Sequence, residues 1–246
     1  MWSHITRLAS PKRFFYLSDK AIPWLSILFI LFLGYGLIGG LILAPADYLQ
    51  GEGYRIIYVH VPCAFLSLFI YAVMTYAAVA NLVWRFKLAP LIIRHSAPIG
   101  AGFTLLALIT GSLWGKPMWG TWWIWDARLT SELILLFLYV GIMLFQSAIA
   151  QKRNGDRAIA ILILVGFVDI PIIHYSVYWW NTLHQGATLT LFNRPAIDPS
   201  MLYPLLAMLL SFFIYYLIIL FLNMRYELIA VGNNPHWLEK STQENK

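Results

Sequence analysis

Residues 114–128 read WGKPMWGTWWIWDAR and hold five of the chain's 11 tryptophans: Trp114, Trp119, Trp122, Trp123 and Trp125. The stretch closes on Asp126 and Arg128. Indole rings offer large, rigid stacking area, and a guanidinium pairs bidentately with a carboxylate. Such a segment suits a large, flat, apolar ligand with an acidic edge. The interfacial aromatic belt of a membrane protein accounts for Trp24, Trp84, Trp179 and Trp180. It accounts poorly for five indoles in one stretch, because belts form at both interfaces. The spacing 119, 122, 123, 126 matches one helical face, which predicts a short surface helix. Gly115, Pro117 and Gly120 interrupt regular structure around it. Asp126 is placed to orient Arg128 or an indole N–H.

Two histidines supply the remaining chemistry. His60 lies in YVHVPCAF, and His184 lies in NTLHQGA. Each has an ordinary reading, His60 as a headgroup-level anchor and His184 as an exposed loop residue. A neutral imidazole is also a common metal ligand, and Pro62 can kink the helix so that His60 is aimed outward. A flat apolar ring with two propionates and an iron that accepts two axial imidazoles matches the tryptophans, Arg128 and the histidines together. Haem meets all three requirements, and haem b, held non-covalently, is the expected ligand. No C-x-x-C-H motif for covalent haem occurs, and the single cysteine, Cys63, excludes an internal disulfide. His174, beside Tyr175, reads as a helix-packing residue.

The elements that position these residues are membrane helices. The 246 residues are 60% hydrophobic and 11% charged, against roughly 25% charged in soluble domains. Six apolar stretches reach the roughly 20 residues needed to cross a bilayer: 22–43, 56–83, 89–112, 130–150, 158–177 and 202–223. The first is too long for a signal-peptide core and reads as a retained span. An all-α polytopic membrane protein follows, with residues 1–246 as one six-helix domain.

Thirteen of the 17 lysines and arginines fall in alternate segments. These are Arg7, Lys12, Arg13 and Lys20, then Arg85, Lys87 and Arg94, then Lys152, Arg153 and Arg157, then Arg225, Lys240 and Lys246. The other links hold Arg55, Lys116, Arg128 and Arg194. The bias places both termini in the cytoplasm. Segments 44–55, 113–129 and 178–201 then face outward. His60 and His184 share the outer side, whereas His4, His95 and His236 fall on the inner one. At the start of the last span, Asp198 reads as an N-cap with Pro199 at the first helical position. Asp169, just before Pro171, is the acid read as lying inside a span. It either serves the ligand or a partner subunit, or caps backbone groups freed near the proline.

The stretch WGKPMWGTWWIWDARLTSELI closely resembles the WWD signature of the haem-handling proteins of cytochrome c biogenesis. VHVP around His60 and HQG around His184 resemble that family's flanking histidine motifs. The resemblance covers nearly the whole chain, and the size fits the branch of the cytochrome c maturation C proteins. It implies His60 and His184 as axial ligands of the haem iron. It implies Trp119, Trp122, Trp123, Trp125, Asp126 and Arg128 as the platform, with Trp114 at its border. It further implies a multi-pass protein of the bacterial inner membrane whose haem site faces the periplasm. There it would deliver haem to a periplasmic haem chaperone, the maturation protein E. The implied companions are the ABC transporter subunits A and B and the small membrane protein D.

No catalytic residue is assigned, and assistance to covalent attachment on the chaperone stays open. Two other readings stay open as well: a transporter moving haem through its own bundle, and a haem-containing quinol-oxidising or electron-transfer subunit.

Overall fold

The computed structural model describes residues 10–149, 155–184 and 197–231. Among them the chain is almost entirely helical: α1 (Pro11–Ile38), α2 (Ile57–Trp84), α3 (Ala89–Trp119), α4 (Ala127–Ile149), α5 (Gly155–Gly166), α6 (Asp169–Trp179) and α7 (Pro199–Val231). Six helical stretches are long and apolar enough to cross a membrane, with α5 and α6 together making the fifth. His4, His236, Arg194, Lys152 and Arg153, together with residues 185 and 186 of the HQG motif, lie outside the described residues.

Most helices run longer than the apolar stretches that mark them. α1 begins at Pro11, behind the N-cap position Ser10, and is extended by a π-helical turn over Gly39–Leu43. Arg55 closes that end, donating to the carbonyls of Gly40 (2.6 Å) and Ala44 (3.0 Å). α2 ends with Arg85 in the left-handed region at φ 51°. There the N–H of Arg85 bonds Asn81 O at 3.0 Å, and that of Phe86 bonds Ala80 O at 3.3 Å. These two bonds satisfy carbonyls that the helix end would otherwise orphan.

α3 departs most from expectation. It does not stop near residue 112 but carries Trp114 and Trp119 on its last two turns. Gly120 stops it, at φ 77° with its N–H on Lys116 O at 3.1 Å, a conformation in which a Cβ would be strained. Residues 120–126 are then irregular. The expected surface helix over 119–126 is absent, because the left-handed stop and a Thr121 hydroxyl bonded to Trp123 O at 3.1 Å turn the chain instead. The fifth span is likewise two helices, broken at Phe167 and Val168.

The core lies where α2 meets α3 and α4. Leu66, Ile70, Tyr71, Met74, Leu135 and Tyr139 are fully buried there. α1 packs mainly on α7 and leaves most of its surface exposed. At the end of the bundle where α3 begins, Arg94 and His95 both reach Glu227 of α7, the latter at 2.7 Å. Nearby, Arg225 pairs with Asp19 of α1 at 2.7 Å. As expected, α7 starts at Pro199 behind Asp198, whose Oδ1 accepts the Ser200 N–H at 2.8 Å.

Candidate haem-binding cleft

At the opposite end of α3, three connecting segments converge. Gln50 of the first link, the end of α3 and His184 of the last link border a cleft with about 720 Å³ of empty space, counting the part open to solvent. The walls include His60, Trp114, Trp119, Arg128, Glu132 and His184.

His60 sits in the first turns of α2 and is 8% exposed. Its Nδ1 lies 3.1 Å from Ala107 O and 3.0 Å from the Thr110 hydroxyl. The carbonyl can only accept, and the Thr110 proton is directed to Leu106 O at 2.6 Å. Nδ1 therefore carries the hydrogen. This fixes the tautomer and leaves the Nε2 lone pair for a ligand, the usual arrangement of a metal-binding imidazole. α3 comes close here: a Cβ added at Gly111 would stand 3.1 Å from His60 Cε1.

The His184 ring stands 6.2 Å from the His60 ring, centroid to centroid, with the planes tilted by 32°. Two indoles flank the pair. Trp114 meets His60 edge-on at 5.6 Å, and Trp119 meets His184 at 6.0 Å. Trp114 is held in turn by Gln50, whose Oε1 accepts its indole N–H at 2.8 Å.

Of the remaining tryptophans, Trp122 and Trp125 are exposed and lie outside the cleft lining. Trp123 stacks edge-on against Trp125 at 5.4 Å. Lys116 lies 5.8 Å over the Trp122 ring and donates to Gly120 O. The tryptophan segment is thus divided by Gly120, with two rings on the cleft and three beyond it.

Arg128 projects into the cleft from the first turn of α4. One N–H donates to Ile173 O on α6 at 2.8 Å, which leaves the other guanidinium donors for a ligand. Asp126 bonds neither Arg128 nor an indole. Its Oδ1 accepts the Leu129 N–H at 2.8 Å, capping α4, and its Oδ2 accepts the Thr182 hydroxyl.

Two wall residues escape the sequence reading. Gln50 lies in a link 64 positions from the indole it orients, so no local spacing marks it. Glu132 is 7% exposed inside the fourth span, so Asp169 is not alone there. The Ser67 hydroxyl lies 2.7 Å from Glu132 Oε1 and 2.8 Å from Ala64 O. Glu132 follows Arg128 by four residues, on the same face of α4, a signal the sequence did contain. Asp169 is 9% exposed at the start of α6. Among the described residues its Oδ2 has no hydrogen-bond partner. His174, read from the sequence as a helix-packing residue, is exposed instead, its ring edge-on to the neighbouring Tyr175 at 4.8 Å.

Comparison with known proteins agrees with this architecture. The family model described as Heme exporter protein C matches residues 4–239. The Heme exporter protein C of Escherichia coli K12 is 49% identical over 240 residues, covering 98% of this chain and 97% of that protein. Its Haemophilus influenzae counterpart is 45% identical over 243 residues, covering 99% of each. A Marchantia polymorpha mitochondrial protein, described as ccmC-like and of cytochrome c biosynthesis, is 51% identical over 170 residues, covering 69% of this chain and 72% of its own. Six membrane helices and whole-length similarity lead to one conclusion: the chain belongs to the Heme exporter protein C family.

Proposed function

We propose that this protein handles haem for cytochrome c biogenesis, holding haem b non-covalently in the cleft between His60 and His184. The observation that carries the reading is the pair of imidazoles facing one another across the cleft, 6.2 Å between ring centres. Two imidazoles on opposite faces of one metal have centroids about 6 Å apart, from metal–nitrogen bonds of about 2 Å and ring radii of about 1 Å. The fixed His60 tautomer offers its Nε2 for that bond. Among the described residues no group of three His, Cys, Asp or Glu side chains gathers for a bare ion. Two axial ligands suit a metal that arrives inside a porphyrin.

The other walls fit the rest of the molecule. Trp114 and Trp119 supply flat apolar surface beside the two imidazoles. Arg128 supplies donors for a propionate, in a partly desolvated position where a charge-assisted bond is strong. Trp122, Trp123 and Trp125 stand at the rim, where they would meet whatever takes the haem next. The charge bias of the links supports a position of this end of the bundle, with segment 113–129, at the periplasmic face of the bacterial inner membrane.

Delivery from there goes to a periplasmic haem chaperone, the maturation protein E. The ABC transporter subunits A and B and the small protein D act as companions, and this chain carries no nucleotide-binding motif. The part assigned to this chain is binding and orientation. The absorption spectrum of the detergent-purified protein tests the reading. We expect a low-spin, two-histidine spectrum that His60→Ala and His184→Ala each abolish. An unchanged spectrum in the double variant would falsify the ligand assignment. Steady quinol turnover by the purified chain would favour an electron-transfer subunit instead.

A further inference from the structure

His60 is fixed by a helix, but His184 lies in a loop segment, so something must set its position. Asp126 joins that segment to α4. One carboxylate oxygen caps the helix through the Leu129 N–H at 2.8 Å, and the other accepts the Thr182 hydroxyl. Thr182 Oγ1 accepts in turn the backbone N–H of His184 at 3.0 Å. A hydroxyl that donates to a carboxylate is polarised and becomes a better acceptor. The relay therefore ties the His184 backbone to the N-terminus of the helix that carries Arg128 and Glu132. All three groups then move with one element.

We propose that Thr182, acting with Asp126, is a positioning residue that holds His184 opposite His60. This rests on the reading of His184 as an axial ligand. Thr182 touches no ligand itself; it sets the register of the loop. Partners that orient a metal ligand from behind commonly contribute ten- to a hundredfold in metal affinity. Here the partner orients the ligand's backbone rather than its ring.

The test uses the full chain in detergent, titrated with haemin, in four variants. Thr182→Val, nearly isosteric, removes both the donor and the acceptor. It should weaken haemin binding by about tenfold or more and move the spectrum from low spin towards high spin. Added imidazole should restore the low-spin form by filling the vacated position. Thr182→Ser keeps the hydroxyl and should retain the parental spectrum. Asp126→Asn keeps an oxygen for the α4 cap but loses the carboxylate, and should show the same imidazole-rescued change as Thr182→Val. It serves as the deciding variant if Thr182→Val does not accumulate.

His184→Ala is the reference. If it alters the spectrum while Thr182→Val and Asp126→Asn keep the parental affinity and spin state, the positioning role is wrong and the two-histidine reading stands. If His184→Ala changes nothing, the two-histidine reading fails and the proposal fails with it.

Discussion

At one end of α3, Arg94 and His95 converge on Glu227, and Arg225 meets Asp19. At the other end, His60, His184, Arg128 and Glu132 surround an open cleft. Both ends use histidine, arginine and acid, and both draw them from different helices. At the first end the opposite charges answer one another across α1, α3 and α7, and the result is a fastening. At the second, three of the side chains are anchored by neutral groups: Ala107 O behind His60, Ile173 O behind Arg128, Ser67 behind Glu132. Anchoring by neutral groups leaves charge and lone pairs unspent. Residue type alone does not distinguish a binding site from a fastening; what the side chain is tied to does.

The largest test of this contrast exchanges the ends. His60→Ala should abolish two-histidine ligation, whereas His95→Gln should leave the haem spectrum unchanged. Loss of binding in His95→Gln would give the fastened end a part in haem handling. Next comes Arg128→Ala, which removes a charge-assisted contact worth about 1.5–3 kcal/mol, so haemin affinity should fall at least about tenfold. Arg128→Lys should recover only part of that, since an ammonium lacks the planar fork; full recovery would argue against propionate pairing.

Third, Ser67→Ala strips the hydroxyl from a buried carboxylate and should cost about 1–3 kcal/mol of stability, read as a lower thermal midpoint of the apo protein. Fourth, Glu227→Gln at the fastened end should cost about 1 kcal/mol or less, because Arg94 is half exposed. Smallest is the pH response of Asp198. Its bonds from Ser200 hold the carboxyl below the usual carboxylate range. Its capping contribution is therefore complete above the unfolded pKa and is lost as pH falls through the depressed folded value. Asp198→Asn should flatten that part of an acid-stability profile.

The sequence made the helix count legible, because 60% apolar composition leaves few alternatives. That His60 and Arg128 share one end of the bundle was legible because a polar residue beside an apolar run is conspicuous. The helix ends were not. Trp114, Gly115, Lys116 and Pro117 read as a loop, yet α3 runs through them. Gly115 there lies under the Trp119 ring, where an added Cβ would be a tight fit, 3.0 Å from Trp119 Cε3. Local breakers were overruled by packing that only the folded chain supplies. Gln50 and Thr182 were hidden for a different reason. Each acts through one bond to a residue distant in sequence, 64 and 56 positions away, and neither residue type announces such a bond.

The division of the tryptophans has an optical consequence. Indole fluorescence is quenched by energy transfer to a porphyrin, with a steep dependence on distance. Trp114 and Trp119 sit against the two imidazoles. Trp84 ends α2, 24 residues beyond His60, or about 36 Å at the helical rise. The chain thus carries its own gauge along the bundle axis, and filling the cleft should darken the indoles in order of their distance from it.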